Sequence, residues 1–335
     1  MEVCGTHTVA IYRSGIANLL PKNLRLIAGP GCPVCVTSEA DLYHFATLSR
    51  EKGVILTSFG DLLRVPANGT SLEKERTKGG DIRIVYSPAE ALTIAIKNPE
   101  KDVAFLGIGF ETTAPVVAAT VLEARRLNLK NFYLFSVLKR IPPVMERLLD
   151  LAKVKIDGYL CPGHVSVIIG SKPYSFIPTI YRRPAVIAGF QPEDILEGLL
   201  LILKQIKSNK PKVEIQYRGV VTPEGNKIAQ SLINQVFVSA PASWRGLGIL
   251  SDTGFKLKNE FLRFDGWYHF SIPEDDTIRP DLKCRCNEVI IGAIEPEECG
   301  QFRRRCTPEK PLGPCMVSSE GACAAHYKYA RQNHS

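Results

Sequence analysis

Ten cysteines are the residues of this sequence best able to do chemistry, and their spacing divides them into two groups. Six of them, Cys284, Cys286, Cys299, Cys306, Cys315 and Cys323, crowd near the C-terminal end. In Cys286-x12-Cys299-x6-Cys306-x16-Cys323, four thiols lie on a Pro- and Gly-containing segment. Such a chain can wrap a [4Fe-4S] cluster with one thiolate for each iron. Zinc would usually bring two tight C-x-x-C knuckles, and the segment has none. Spacing leaves Cys284 as an alternative to Cys286, and Cys315 as an alternative to Cys323. The other group centres on Cys32-Pro-Val-Cys35, just before a helix expected from Ser38 with Asp41 as capping partner. Thiols near a helix N-terminus feel its positive end, so lowered pKa values and available thiolates are expected here. Cys4, in Cys-Gly-Thr-His-Thr8, offers a third soft donor, and three would suit iron or a disulfide relay. His7 beside it, Glu111 in Gly109-Phe-Glu-Thr-Thr113 and His164 in Cys161-Pro-Gly-His-Val-Ser166 are candidate acid-base groups. Thr112, Thr113 and Ser166 read equally well as helix caps, and Cys161 as a small buried hydrophobe.

Composition narrows the setting for this chemistry. The 335 residues are 45% hydrophobic and 23% charged, those of an ordinary globular protein long enough for two or three domains. No uncharged apolar run of about 18 residues appears, and MEVCGTHTVA lacks the pattern of a secretory signal. A cytoplasmic location without membrane contact is expected, and so many cysteines in a reducing compartment point to metal or redox chemistry rather than structural disulfides. The net charge of +8 does not point to nucleic acid, because the basic residues are scattered and the one tight run, Arg303-Arg304-Arg305, lies among cysteines.

Short apolar runs alternate with stretches of helical spacing between residues 25 and 220. The expected strands are Leu24–Ala28, Val54–Ser58, Ile82–Tyr86, Val103–Ile108, Phe132–Val137, Gly158–Cys161, Ala185–Ala188 and Val213–Val220. That order implies βαβ units and parallel sheets, hence an α/β class with two related domains. The expected division is 1–128 for the first α/β domain, 129–231 for the second and 232–335 for a small irregular Cys-rich domain in which a bound cluster supplies the missing core. Ligands of such sheets bind beyond the carboxyl ends of the strands, where the Gly29–Cys35, Gly109–Thr113 and Cys161–Ser166 loops fall.

Five motifs in this order resemble one family over essentially the whole chain: Cys4-Gly-Thr-His-Thr8, Gly29-Pro-Gly-Cys-Pro-Val-Cys35, Gly109-Phe-Glu-Thr-Thr113, Cys161-Pro-Gly-His-Val-Ser166 and Gly313-Pro-Cys-Met-Val-Ser-Ser-Glu-Gly-Ala-Cys323. That family is HypD, of [NiFe]-hydrogenase maturation. The resemblance implies a scaffold with redox-active thiols on which the Fe(CN)2CO moiety is assembled, paired with a HypC-like chaperone. Cyanide would come from HypE, with HypF upstream, and the hydrogenase large subunit would be reached indirectly. Carried over by motif, Cys4, Cys32 and Cys35 surround the assembly iron, Cys286, Cys299, Cys306 and Cys323 hold the [4Fe-4S] cluster, and Glu111 and His164 line the same crevice. A different reading of the same residues is an iron-sulfur-dependent thiol-disulfide oxidoreductase acting on a protein or small disulfide. Family members generally carry a further stretch before the Cys-Gly-Thr-His motif, so a start shortened relative to them is expected.

Overall fold

The computed structural model describes residues 1–151, 154–272 and 284–330. The chain forms two compact units, each assembled from segments far apart in sequence. It has the expected α/β class, with parallel sheets.

One unit comprises Thr37–Arg140 and Ile228–Leu282. Its sheet contains β1 (Val54–Ser58), β2 (Ile82–Ile84), β3 (Asp102–Gly107) and β4 (Phe132–Ser136), all parallel in the order β2-β1-β3-β4. All five residues of β1 are buried, which is why it reads as an unbroken apolar run rather than an alternation. The helices Pro88–Lys97 and Ala114–Arg126 belong to the βαβ crossovers. The first starts where Ser87 accepts a hydrogen bond from Ala89 N–H and Pro88 presets the first turn.

The same unit contains regular structure that the sequence did not suggest. β8 (Phe237–Trp244) and β9 (Gly248–Leu257) form an antiparallel hairpin with an irregularity between Ala240 and Ala242. Gly246 and Gly248 take positive φ at its turn, which a side chain would resist. Trp244 anchors the hairpin at 1% exposure, its indole N–H donating to Thr253 Oγ1 at 2.8 Å and its ring stacked near Phe110.

The other unit comprises Met1–Val36, Ile141–Lys227 and Lys283–Ser335. Its parallel sheet is smaller: β5 (Tyr159–Pro162), β6 (Ala185–Ala188) and β7 (Val213–Ile215), in that order. The helix Pro192–Ser208 lays Ile195, Leu199 and Ile202 against Leu160 and Val186, and Ile11 and Ile16 complete this core. Leu24–Ala28 is not a strand; Ala28 makes only an isolated bridge with Glu2. Phe132–Ser136 pairs with β3, so the parallel strands divide four and three.

Candidate metal centre

All ten cysteines belong to the unit containing Met1–Val36, and none is in a disulfide. The N-terminal arm carries Cys4 into the helix Gly5–Ser14. Glu2, 2% exposed, organises that entry: its carboxylate accepts from Cys4 N–H at 2.8 Å and from the Thr8 hydroxyl at 2.5 Å. Burial raises the Glu2 pKa to about 7. Nothing in the cysteine spacing points to Glu2; its only signal is a carboxylate just ahead of a helix start. The Gly29–Cys35 loop abuts this arm, with Gly5 N–H donating to Gly31 O at 3.0 Å. A Cβ at position 31 would stand 2.1 Å from Cys4 N, so only glycine allows the two backbones to meet.

Cys32 and Cys35 flank a short helical turn, Pro33–Val36, and Cys35 N–H donates to Cys32 Sγ at 3.2 Å. The Cys32 thiol donates to Ser318 Oγ at 3.3 Å. As expected, Ser38 caps the next helix, Glu39–Leu48, by accepting from Asp41 N–H. The Cys35 thiol moves opposite to expectation. Burial pushes Cys35 well above the usual thiol range and Cys4 up to about 12. A single turn carries little dipole, and the loss of water around a thiolate outweighs it. The cleft bounded by Cys32, Cys35, Cys315, Thr8 and Glu320 has about 10 Å3 of open volume, room for at most a water molecule.

The C-terminal cysteines come together in two sets. Cys306, raised by burial to about 11, receives Leu312 N–H on its sulfur at 3.4 Å and has Cys284, Cys323 and Cys299 as electrostatic neighbours. Cys315 instead has the thiols of Cys286, Cys323 and Cys35 as its interacting neighbours. Cys284 and Cys286 converge on Gly313, where a Cβ would lie 2.6 and 3.1 Å from their sulfurs. The donor set fits an iron-sulfur cluster: buried thiols, irregular backbone and an N–H aimed at sulfur. Among the described residues, no three Cys, His, Asp or Glu side chains are already spaced as a metal-ion site. Closing them around a metal would couple binding to local ordering.

The remaining candidates have different surroundings. His7 is fully buried, its Nε2 lies 2.8 Å from Gly189 O, and burial lowers its pKa to about 4, so the ring is neutral. His164 is exposed and stacks on Phe190, whose ring also meets His7. Cys161 is buried at the end of β5, as a small hydrophobe should be. Ser166 lies inside the helix Gly163–Ile169, donating to Pro162 O at 2.7 Å, and is not a cap. Thr113 occupies the N-cap position of Ala114–Arg126 without a side-chain cap bond. Glu111, 3% exposed, follows β3 and therefore belongs to the unit without cysteines.

Comparison with known proteins matches this sequence to a family. The HypD sequence profile, described as the hydrogenase formation hypA family, matches residues 1–330. The chain is 43% identical over 333 residues to the hydrogenase maturation factor HypD of Escherichia coli K12, covering 99% of this chain and 89% of that protein. It is 44% identical over 339 residues to the HypD of Azotobacter vinelandii, with the same coverage. A putative hydrogenase expression/formation protein of Methanocaldococcus jannaschii is 42% identical over 331 residues, covering 99% of this chain and 92% of the relative. The chain belongs to the HypD family of hydrogenase maturation factors.

Proposed function

We propose that this chain is a maturation scaffold for [NiFe]-hydrogenase on which Fe(CN)2CO is assembled, with the iron as cargo held by Cys4, Cys32 and Cys35. The observation that carries the reading is the direct packing of the Cys4 arm on the Cys32–Cys35 loop through Gly31. Iron bearing cyanide and carbon monoxide needs few protein ligands, and three soft thiols on two adjoining loops supply them. The raised pKa values of Cys4 and Cys35 keep these thiols protonated until metal displaces the proton, which suits a site that must load and later release its cargo. The narrow cleft must open for this, and a HypC-like chaperone and HypE are the partners proposed to meet it there.

Cys299, Cys306 and Cys323 are the proposed ligands of a resident [4Fe-4S] cluster. The fourth is Cys286 or Cys284. The neighbours of Cys306 favour Cys284, and the contact of Cys286 with Cys315 makes those two a thiol pair beside the centre. Bound there, a cluster supplies a one-electron store. The protein's own part is to wrap it in buried thiols and to point Leu312 N–H at Cys306. The contact from Cys35 through Cys315 to Cys286 also favours the thiol-disulfide oxidoreductase as a second reading.

Anaerobic iron and sulfide analysis with infrared spectroscopy, on the chain alone and with its HypC-like partner, separates the two. The scaffold requires cyanide and carbonyl stretches that disappear in Cys4→Ala while cluster iron stays. Cluster iron without those bands under any maturation condition, together with catalytic disulfide turnover, would replace it with the oxidoreductase.

A further inference from the structure

The motif Gly313-Pro-Cys-Met-Val-Ser-Ser-Glu-Gly-Ala-Cys323 contains more than thiols. Between its short helix Pro314–Val317 and the helix Ala322–Tyr329 runs a turn, Ser318 to Gly321, with two side chains that reach other parts of the same unit. Ser318, 3% exposed, accepts from the Cys32 thiol at 3.3 Å and from Glu320 N–H at 3.2 Å. The carboxylate of Glu320 accepts from the Thr6 hydroxyl at 2.9 Å, in the first turn of the helix that follows Cys4. The approach is close: a Cβ on Gly5 would fall 2.5 Å from the Glu320 Cβ and 2.9 Å from its backbone oxygen. One turn therefore touches both loops that carry the assembly thiols, and it is flanked by Cys315 and Cys323.

We propose that Ser318 and Glu320 are positioning residues that lock Cys32 and the Cys4 arm to the Cys-rich segment, Ser318 through the Cys32 sulfur and Glu320 through Thr6. The inference rests on the scaffold reading for its purpose, not for its geometry. Two consequences follow. When Cys32 and Cys35 are reduced, the Cys32 S–H keeps its hydrogen bond to Ser318; a disulfide has no S–H to donate, so the turn favours the dithiol. The Glu320–Thr6 bond holds the Cys4 arm closed, and Cys4, at 8% exposure, is shielded while it holds.

Both consequences are measurable on the full-length, cluster-loaded chain. For the first, the protein is equilibrated anaerobically with glutathione and glutathione disulfide, and the Cys32–Cys35 state is read by thiol trapping and peptide mapping. Two glutathione thiols reduce the disulfide, passing two electrons and two protons to Cys32 and Cys35 and leaving as glutathione disulfide. Ser318→Ala should shift this equilibrium toward the disulfide roughly three- to tenfold, tenfold being about 30 mV for a two-electron couple. Ser318→Thr, which keeps the hydroxyl, should restore it. For the second, Glu320→Ala and Thr6→Val should each speed iodoacetamide alkylation of Cys4 several-fold, and the double variant should do no more than either alone.

Iron and sulfide content should be unchanged throughout, which separates loss of the lock from loss of the fold. An equilibrium constant for Ser318→Ala within twofold of the parent, or additive effects of the Glu320 and Thr6 changes, overturns the proposal. Because neither readout uses cyanide or carbonyl bands, failure of the scaffold reading shows in the infrared spectra and failure of the lock in the thiols.

Discussion

The unit built from Met1–Val36, Ile141–Lys227 and Lys283–Ser335 contains all ten cysteines, whereas Trp244 and Trp267 both belong to the other unit. The two are held together by different means. The tryptophan-bearing unit has a four-stranded parallel sheet, a hairpin and a chain of ring contacts through Phe45, Phe135, Trp267 and Phe270. It also buries an ion pair, Arg245 with Glu39, at 4% and 9% side-chain exposure. Among the described residues the cysteine-bearing unit has three short strands, and its C-terminal segment has only short helices and turns around the thiols. One unit is an ordinary packed domain, while the other gathers most of its thiols where regular structure is sparse, and the cluster proposed there would add to its cohesion.

The sharpest way to break that contrast is to remove the proposed cluster. Cys306→Ser should abolish most bound iron and sulfide and open the segment from 284 to 330 to limited proteolysis. Tryptophan emission, which reports only the other unit, should keep its wavelength and its urea midpoint. A parallel loss of the fluorescence transition would show that the two units do not differ in this way. The converse experiment is nearly as large. Trp244→Ala removes a ring at 1% exposure and its bond to Thr253, and should cost about 3–5 kcal/mol of stability. Urea titration followed by Trp267 emission checks this, and iron and sulfide content should not change.

The same contrast decides what was legible in the sequence. Val54–Ser58, Phe132–Ser136 and Ala185–Ala188 stand out because strands of a parallel sheet are buried on both faces and read as apolar runs. The hairpin escaped notice because β8 and β9 are partly exposed, with burial that follows no clean alternation, and β8 carries Pro241 within it. Thiol types and order suggested the candidate site, but not the direction of the Cys35 pKa, since helix position is visible in sequence and burial is not. Glu2, Ser318 and Glu320 were passed over because their roles come from contacts that only the folded chain makes: Ser318 meets Cys32 from 286 positions away, and Glu320 meets Thr6 from 314.

The smallest effect expected here concerns pH, and it belongs to the tryptophan-bearing unit alone. Glu75 is 1% exposed, and its carboxylate accepts from Arg50 at 2.8 and 2.9 Å, from Lys78 at 3.0 Å and from the Thr70 hydroxyl. The Arg50 guanidinium, aided by Thr70 and Lys78, holds this carboxyl well below the usual range despite burial. A folded pKa below the unfolded one means that the unfolded chain takes up the proton first. The stabilisation is therefore complete above the unfolded value of about 4.3 and drains away as pH falls from there toward the folded value. At pH 7, Glu75→Gln should cost about 1.5–3 kcal/mol, the worth of hydrogen bonds to a charged group, somewhat reduced because the Arg50 and Lys78 side chains are more than half exposed. The gap between the urea midpoints of parent and variant, read by tryptophan emission, should be equal at pH 7 and 5 and should narrow at pH 3.5 without closing. A gap that stays constant down to pH 3.5 would mean that Glu75 stabilises through shape and packing rather than through its charge.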